Sequence, residues 1–209
     1  MSAPSRSAPL LPAALCAALV PVLIWSWVGP YDRATWWMEA APVLLAVPIL
    51  AATWRRFPLT PVLYVLIWLH AVILLVGAHY TYALVPVGEW ARDAFDLSRN
   101  HYDRLGHFAQ GFVPAIAARE LLLRLTPLKR GGWLFAILTL SVLGISAAYE
   151  LIEWIAAEIA ADGAADFLGS QGDIWDAQKD MALALIGAVA AQLLLPRLHD
   201  RHLTRLSRR

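Results

Sequence analysis

Long apolar runs, separated by short polar segments, constrain this chain more than any other feature of its sequence. Six of these runs are close in length to the stretch of about 20 apolar residues that a helix needs to cross a bilayer. Inside a bilayer every backbone polar group must be paired within the protein, so runs of this kind form helices. Hydrophobic residues make up 59% of the chain, which also favours a membrane protein. The sequence therefore predicts one all-α domain, a polytopic bundle of six transmembrane helices, with spans near residues 10–28, 36–54, 60–82, 105–125, 133–155 and 181–195.

Basic residues in the connections predict the orientation of this bundle. With six spans the two termini lie on the same side of the membrane, and that side carries Arg55, Arg56, Lys129 and Arg130 as well as a basic tail at residues 196–209. Lys and Arg favour the cytoplasmic side. We therefore expect both termini in the cytoplasm of a bacterial inner membrane, with the tail against the anionic inner leaflet.

Two further segments have a distinctive composition. Residues 87–104 alternate charged and aromatic side chains, which predicts an amphipathic segment on the membrane surface. Residues 162–179 form a polar connection with three glycines, too long for a simple turn. We expect this connection on the extracytoplasmic side of the membrane, next to the site described below.

Carboxylates and histidines from several spans recur at one depth, near the outer boundary of the bilayer. A helix rises about 1.5 Å per residue, which places Glu150 and Glu153 on one face near the outer end of the fifth span. His107 lies in the first turn of the fourth span, and Asp180 begins the sixth. Charged groups inside a membrane are costly, so this layer is a candidate functional site. Its other polar members are Glu39, His79, Asp103, Gln110, Asp173 and Asp176.

Oxygen and imidazole groups in this layer indicate a divalent metal ion as cofactor. Carboxylates placed so close together repel one another, and a cation, shared protons or Arg104 would relieve that repulsion. Oxygen-rich ligand sets suit Mg²⁺, Ca²⁺ or Mn²⁺, and an added imidazole suits Zn²⁺ or iron. Two acids in the layer are candidates for a catalytic base that activates water, namely Glu153 and Asp173. The expected metal ligands are His107, Glu150, Asp176 and Asp180.

Structural roles compete with this interpretation for several of the same residues. Asp176 and Asp180 suit a helix N-terminus, where the helix dipole favours a carboxylate, and Glu153 suits an exposed position at the membrane boundary. Glu39 and His79 suit satisfied buried positions, and His70 suits a bond to a neighbouring helix. The single cysteine, Cys16, excludes an internal disulfide and a cysteine-based metal site.

Three polar motifs resemble the uncharacterised YjdF-like family of bacterial inner-membrane proteins. They are RNHYDRLGHF at residues 99–108, YELIEW at 149–154 and GSQGDIWDAQKDM at 169–181, and the resemblance extends over about residues 54–195. More loosely, their order is similar to that in VanZ-like proteins, a group associated with glycopeptide (teicoplanin) resistance. Ala184 stands where the VanZ-like pattern usually has Asn. The wider resemblance implies site positions at Arg104, His107, Glu150, Asp176, Asp180 and Gly187.

Three functions remain open from the sequence. The first is a metal-assisted enzyme that performs hydrolysis or transfer on a lipid or cell-envelope precursor. The second is a protein that binds or transports a cation or a lipid headgroup, although the inner half of the bundle carries only Arg119 and Glu120, which disfavours transport. The third is a non-catalytic membrane partner whose polar layer specifies helix packing. Membrane lipids are the expected partners in each case, and no nucleic acid is expected.

Overall fold

The computed structural model describes residues 10–160 and 170–207, and every regular element in these ranges is a helix. The predicted all-α class is confirmed. Residues 1–9, residues 161–169 of the predicted outer connection, and the last two arginines of the tail lie outside the described residues. The helices are α1 (Leu10–Trp27), α2 (Arg33–Thr53), α3 (Pro61–Tyr80), α4 (Pro86–Ala94), α5 (Tyr102–Leu125), α6 (Gly132–Ala160), α7 (Asp176–Leu194) and α8 (Pro196–Ser207), with a 3-10 turn at Tyr82–Leu84.

Five helices in the described part of the chain, α1, α2, α3, α6 and α7, are long and apolar enough to cross a membrane. The 24 residues of α5 also suffice in length, but α5 carries five charged side chains and is not among the five. Instead of facing lipid on all sides, α5 packs against α3, α6 and α7. A multi-pass helical membrane protein is therefore confirmed, and the count of six spans, which depends on α5, stays a prediction.

The helices form two groups that meet at α3. In the first group α1 and α2 pack against α3 around a core that includes Leu19, Trp36, Val43 and Leu75. In the second group α5, α6 and α7 pack against one another, and α3 contacts α5 and α8 across the boundary. A second buried apolar cluster is formed by residues of α3, α5, α6 and α7, and its members are Leu63, Ala115, Ile116, Val142, Ala188 and Ala191.

Two glycines allow α5 and α7 to approach each other closely. Gly111 of α5 lies against the backbone of Ala184 in α7, and Gly187 of α7 lies against the backbone of Phe108 in α5. A methyl group at either glycine would collide with the opposite backbone. Small residues at helix interfaces permit such approaches in membranes. As a result, the first turns of α5 and α7, which carry the polar motifs, lie side by side.

The basic tail forms α8, which packs into the bundle rather than lying apart on lipid. His199 in α8 is fully buried, and its Nε2 lies 2.9 Å from Oε2 of Glu120. Glu120, also fully buried, accepts hydrogen bonds from the backbone N–H and the hydroxyl of Thr60. Nη1 of Arg119 lies 2.7 Å from Nδ1 of His199. This differs from the lipid-facing tail that its composition suggests, because one face of α8 has polar partners inside the protein.

The predicted surface segment at residues 87–104 is divided between two helices. Its first part forms α4, with Trp90 and Phe95 exposed, and its last residues already belong to α5. Asn100 joins the two parts, because its side-chain amide donates to the backbone oxygen of Val85 and to Oε1 of Glu89, each at 3.0 Å. The segment therefore fixes where α5 begins, and with it the position of the first polar motif.

Candidate functional site

Three side chains with metal-ligating groups meet where α5 and α7 begin. Asp103 and His107 lie one turn apart on α5, with Nε2 of His107 3.4 Å from Oδ1 of Asp103. One ligand atom from each of Asp103, His107 and Asp180 lies within 4.8 Å of the other two, and all three residues are buried. Oδ1 of Asp180 has no hydrogen-bond partner among the described residues, and Asp180 is only 2% exposed. A buried carboxylate oxygen is costly without a partner, and a cation at this point would supply one.

Gln110 and Glu150 flank the other side of the His107 ring. Nδ1 of His107 lies 3.0 Å from Oε1 of Gln110 and 3.7 Å from Oε1 of Glu150. Both ring nitrogens face acceptor oxygens, and in the tautomer that carries its proton on Nδ1 the ring donates to Gln110. This leaves Nε2 on the side of Asp103 and Asp180. A ring held in this way by its distal nitrogen is the usual arrangement of a metal-binding histidine.

Asp173 binds two basic side chains. Its Oδ2 accepts hydrogen bonds from Nζ of Lys179 at 2.5 Å and from Nη2 of Arg104 at 3.1 Å. The hydrogen bond from Lys179, followed by one from the backbone N–H of Trp175, holds the pKa of the Asp173 carboxyl below its usual range. Asp173 is therefore a weak base at neutral pH, which suits an ion pair better than proton abstraction.

Asp176 binds Arg99, which also contacts the connection before α7. Nη1 of Arg99 donates to Oδ1 of Asp176 at 2.5 Å and to the backbone oxygen of Ser170 at 2.9 Å. Nearby, the backbone N–H of Asn100 donates to Oε1 of Gln171, and Nε2 of Gln171 donates back to the backbone oxygen of Asn100. These bonds hold the segment before α7 against the start of α5, and they give Asp176 a positive partner within the protein.

A cavity of about 200 Å³ lies beside the cluster, between α2, α3, α5 and α6. Asp103 and His107 form part of its wall, and Glu39, His70 and Glu153 line it from the other helices. Oε2 of Glu39 and Nε2 of His70 have no hydrogen-bond partner among the described residues. The sequence position of His70 predicts a bond to a neighbouring helix, but in the structure His70 lines this cavity instead. The cavity connects the cluster to space that a ligand can occupy.

His79, which the sequence places at the same depth, has a structural environment. Its Nδ1 lies 3.2 Å from the backbone oxygen of Ser26, and its ring lies against Trp25 with centroids 4.3 Å apart. This arrangement fits the satisfied histidine that the sequence left as an alternative.

The six residues proposed from the sequence fall into three groups. The groups are His107, Glu150 and Asp180 in or beside the cluster, Glu153 in the cavity wall, and Asp173 and Asp176 bound to basic side chains. The cluster also contains Asp103, which is not in the ligand set expected from the sequence, although its spacing of one helical turn from His107 is a signal for it.

The chain matches, over residues 11–201, the model of a family described as "Predicted membrane protein (DUF2238)". The chain belongs to this family. It is 52% identical over 198 residues to the inner membrane protein YjdF of Escherichia coli (strain K12), and the alignment covers 94% of both chains. No solved structure matches. These matches confirm the predicted YjdF-like resemblance and, with the apolar helices, identify a multi-pass inner-membrane protein.

Proposed function

We propose that this protein is a metal-assisted enzyme that acts on a lipid or another cell-envelope precursor. The observation that carries the proposal is the buried cluster of Asp103, His107 and Asp180, in which three ligand atoms lie within 4.8 Å of one another. Two carboxylates and one imidazole suit Zn²⁺, Mn²⁺ or iron. The partnerless oxygen of Asp180 and the orientation of His107 by Gln110 both support a cation at this point.

The residue roles in this proposal follow the contacts of each side chain. Asp103 replaces Asp176 as a ligand, because Arg99 donates to Asp176 at 2.5 Å but lies 3.9 Å from Asp103. Glu150 lies next to His107 as a further ligand. Glu153 lines the same cavity as the cluster, which suits a base that takes a proton from water activated by the metal.

A membrane-borne substrate is supported by the composition of the cavity wall. Apolar side chains, namely Pro42, Leu74, Pro114 and Ile145, line the cavity together with the polar residues. Such a wall covers an acyl or isoprenyl chain while the polar end reaches the cluster. The looser resemblance to VanZ-like proteins agrees with an envelope substrate and stays a prediction.

Binding without turnover is the second candidate function, because carboxylates around a cavity attract a cation whether or not a reaction follows. Transport is less well supported. The apolar cluster that includes Leu63, Ile116 and Val142 lies along the helices between the site and the polar network around Glu120. Such a cluster is a barrier to an ion that moves along the bundle.

We further propose a single domain of six spans, with α5 as the fourth, both termini in the cytoplasm and the site outside. Basic residues concentrate at the end of the bundle opposite the site, as the positive-inside rule requires of the cytoplasmic side. Reporter fusions after Arg130 should therefore give cytoplasmic activity, and fusions near Gly169 should give external activity. The reverse pattern would contradict this orientation.

Metal analysis of the purified protein tests the central proposal. Wild-type protein should retain a transition metal, and Asp180→Asn and Glu150→Gln should each lower its content sharply while preserving side-chain shape. Glu158→Gln is the matched control, since Glu158 lies on α6 and is exposed. Added metal at 100 times its dissociation constant should stabilise the wild-type fold by about 2.7 kcal/mol.

The same material separates the candidate functions. Metal-dependent conversion of a component of an envelope lipid extract, measured by mass spectrometry, would support the enzyme. Metal retention without conversion would favour the binding protein. Equal metal content and equal stability in wild type and both cluster variants would leave the cluster with a packing role and would contradict the proposal.

A further inference from the structure

The cavity beside the cluster has a wall that is acidic and aromatic. Glu39, Glu153 and the rings of Tyr82 and Tyr149 line it, and the lining within the described residues includes neither Lys nor Arg. When ionised, these carboxyl groups give the cavity a negative potential, and the faces of aromatic rings attract cations further. The wall therefore favours a positively charged ligand and disfavours an anion.

Glu39 is the acid in this wall whose side chain has a buried oxygen without a hydrogen-bond partner among the described residues. It is 2% exposed, and its Oε2 has no hydrogen-bond partner among the described residues. Buried polar atoms are almost always hydrogen-bonded in folded proteins. Glu39 lies on α2, whereas the three members of the cluster lie on α5 and α7, so it is available to a second group on the ligand.

Tyr82 is held in place by the two helices behind it. A Cβ atom at Gly77 would lie 2.6 Å from the Tyr82 ring, and one at Gly106 would lie 3.1 Å from it. The preceding residue, Thr81, has a φ of +57°, which is unusual for a β-branched residue. The ring of Tyr82 therefore packs closely against both glycines, and the unusual backbone conformation of Thr81 directly precedes it.

We propose that this cavity binds a primary alkylammonium group, with Glu39 as its counter-ion and the rings of Tyr82 and Tyr149 as its further contacts. A primary ammonium has three N–H donors, which match the partnerless oxygen of Glu39 and the phenolic oxygens. A quaternary ammonium has no donor and would contact only the rings. A bare metal ion would leave the apolar part of the wall, Pro42 and Leu74 among it, uncovered.

This inference deepens the proposed function, because it names the substrate as an amphiphile that carries an amine. To that extent it rests on the proposed function. Binding of the ammonium group itself, however, needs no metal, since Glu39 is not a member of the metal-ligating cluster. The two proposals can therefore be tested separately on the same full-length protein.

The test uses purified protein in detergent with a chelator present, titrated calorimetrically with three probes of equal chain length. The probes are n-hexylammonium, n-hexyltrimethylammonium and 1-hexanol. We expect saturable binding of n-hexylammonium, weaker binding of the trimethyl compound and only detergent-like partitioning of the alcohol. Glu39→Gln should weaken n-hexylammonium binding roughly tenfold to 100-fold, which corresponds to the loss of a charged hydrogen bond. Glu158→Gln, the exposed control, should bind as wild type does.

Several outcomes would overturn the inference. Equal binding of the ammonium and the alcohol would make the cavity a site for apolar chains only. Tighter binding of the trimethyl compound would show that the rings, and not Glu39, select the ligand. If Glu39→Gln does not fold, Tyr149→Phe replaces it and should weaken n-hexylammonium binding several-fold. If metal analysis without chelator shows bound metal but the ammonium does not bind, this inference alone is overturned. If no metal is retained but the ammonium binds, only the metal proposal is overturned.

Discussion

Replacement of His199 by alanine should destabilise the protein strongly, although His199 lies at the opposite end of the bundle from the site. Arg119 has only donors, so Nδ1 of His199 accepts its hydrogen bond at 2.7 Å, and the proton on Nε2 is donated to Glu120 at 2.9 Å. The imidazole therefore links a buried arginine to a fully buried carboxylate. No water can replace it without entering the core.

The expected magnitude follows from the bonds that remain. Breaking a buried charged pair costs about 3–5 kcal/mol, and a single hydrogen bond to a charged group contributes about 1.5–3 kcal/mol. After His199→Ala, Glu120 still accepts from Thr60 and from Nη1 of Arg124, and Arg119 still contacts Asp200 at 2.8 Å. We therefore expect a loss of about 2–4 kcal/mol in the free energy of unfolding, between these two limits.

Unfolding in mixed micelles, followed by circular dichroism as the fraction of denaturing detergent increases, measures this loss. Arg201→Ala is the control, because Arg201 lies on the same helix and is exposed. His199→Gln keeps a donor on a long side chain and should fall between the two. A difference of less than about 0.5 kcal/mol between His199→Ala and Arg201→Ala, the usual range of surface substitutions, would refute the buried position of α8.

Two further predictions concern the site end of the bundle. Gly187→Ala should force α7 away from α5, cost about 1–3 kcal/mol in micelle unfolding and weaken metal binding, whereas Gly144→Ala, at a position with open space around it, should be tolerated. If Gly187→Ala bound metal with the same affinity as wild type, the close approach of α5 and α7 would not be needed for metal binding. The pKa of Asp173 is lowered in the folded protein, so its ion pairs persist at neutral pH and weaken only as the pH falls below the ordinary value of 3.8. Amide protection of residues 170–175, taken as the exchange rate relative to that of an unstructured chain at the same pH, should therefore be constant between about pH 5 and 7 in wild type and lower throughout in Asp173→Asn, and a change in protection centred near pH 6 would contradict this.

Helices and site depth were predictable from the sequence because both depend on local properties. The third span, expected at residues 60–82, is Pro61–Tyr80, since an apolar run in a bilayer has no alternative to a helix. Counting residues along such helices was also enough to place Glu150, His107 and Asp180 at one level of the bundle, where the structure brings them together. The N-cap of α2 is Asp32, which accepts a hydrogen bond from the backbone N–H of Thr35 at 2.7 Å, and the helix begins at Arg33 rather than at the expected residue 36.

Partners distant in the sequence were not predictable in the same way. Arg99 and Asp176 are 77 positions apart, and the basic charge of Arg99 gave no indication of which of several nearby acids it would bind. His199 is a similar case, because a tail rich in arginine is typical of a membrane surface, and only the tertiary structure brings it 2.9 Å from Glu120. Polar pairs of this kind depend on which helices become neighbours, and apolar runs alone do not determine that.

The division of the helices into two groups has a consequence for how the protein is made. The first group, α1 to α3, has a core of its own and can assemble while the rest of the chain is still being synthesised. Asp103 and His107 arrive next with α5, but Asp180 belongs to α7, which ends only at Leu194 of the 209-residue chain. A nascent protein therefore exposes two of the three clustered side chains to the membrane before the third is inserted. Any ion held by all three can bind only after α7 is inserted, so this helix determines when the cluster is complete.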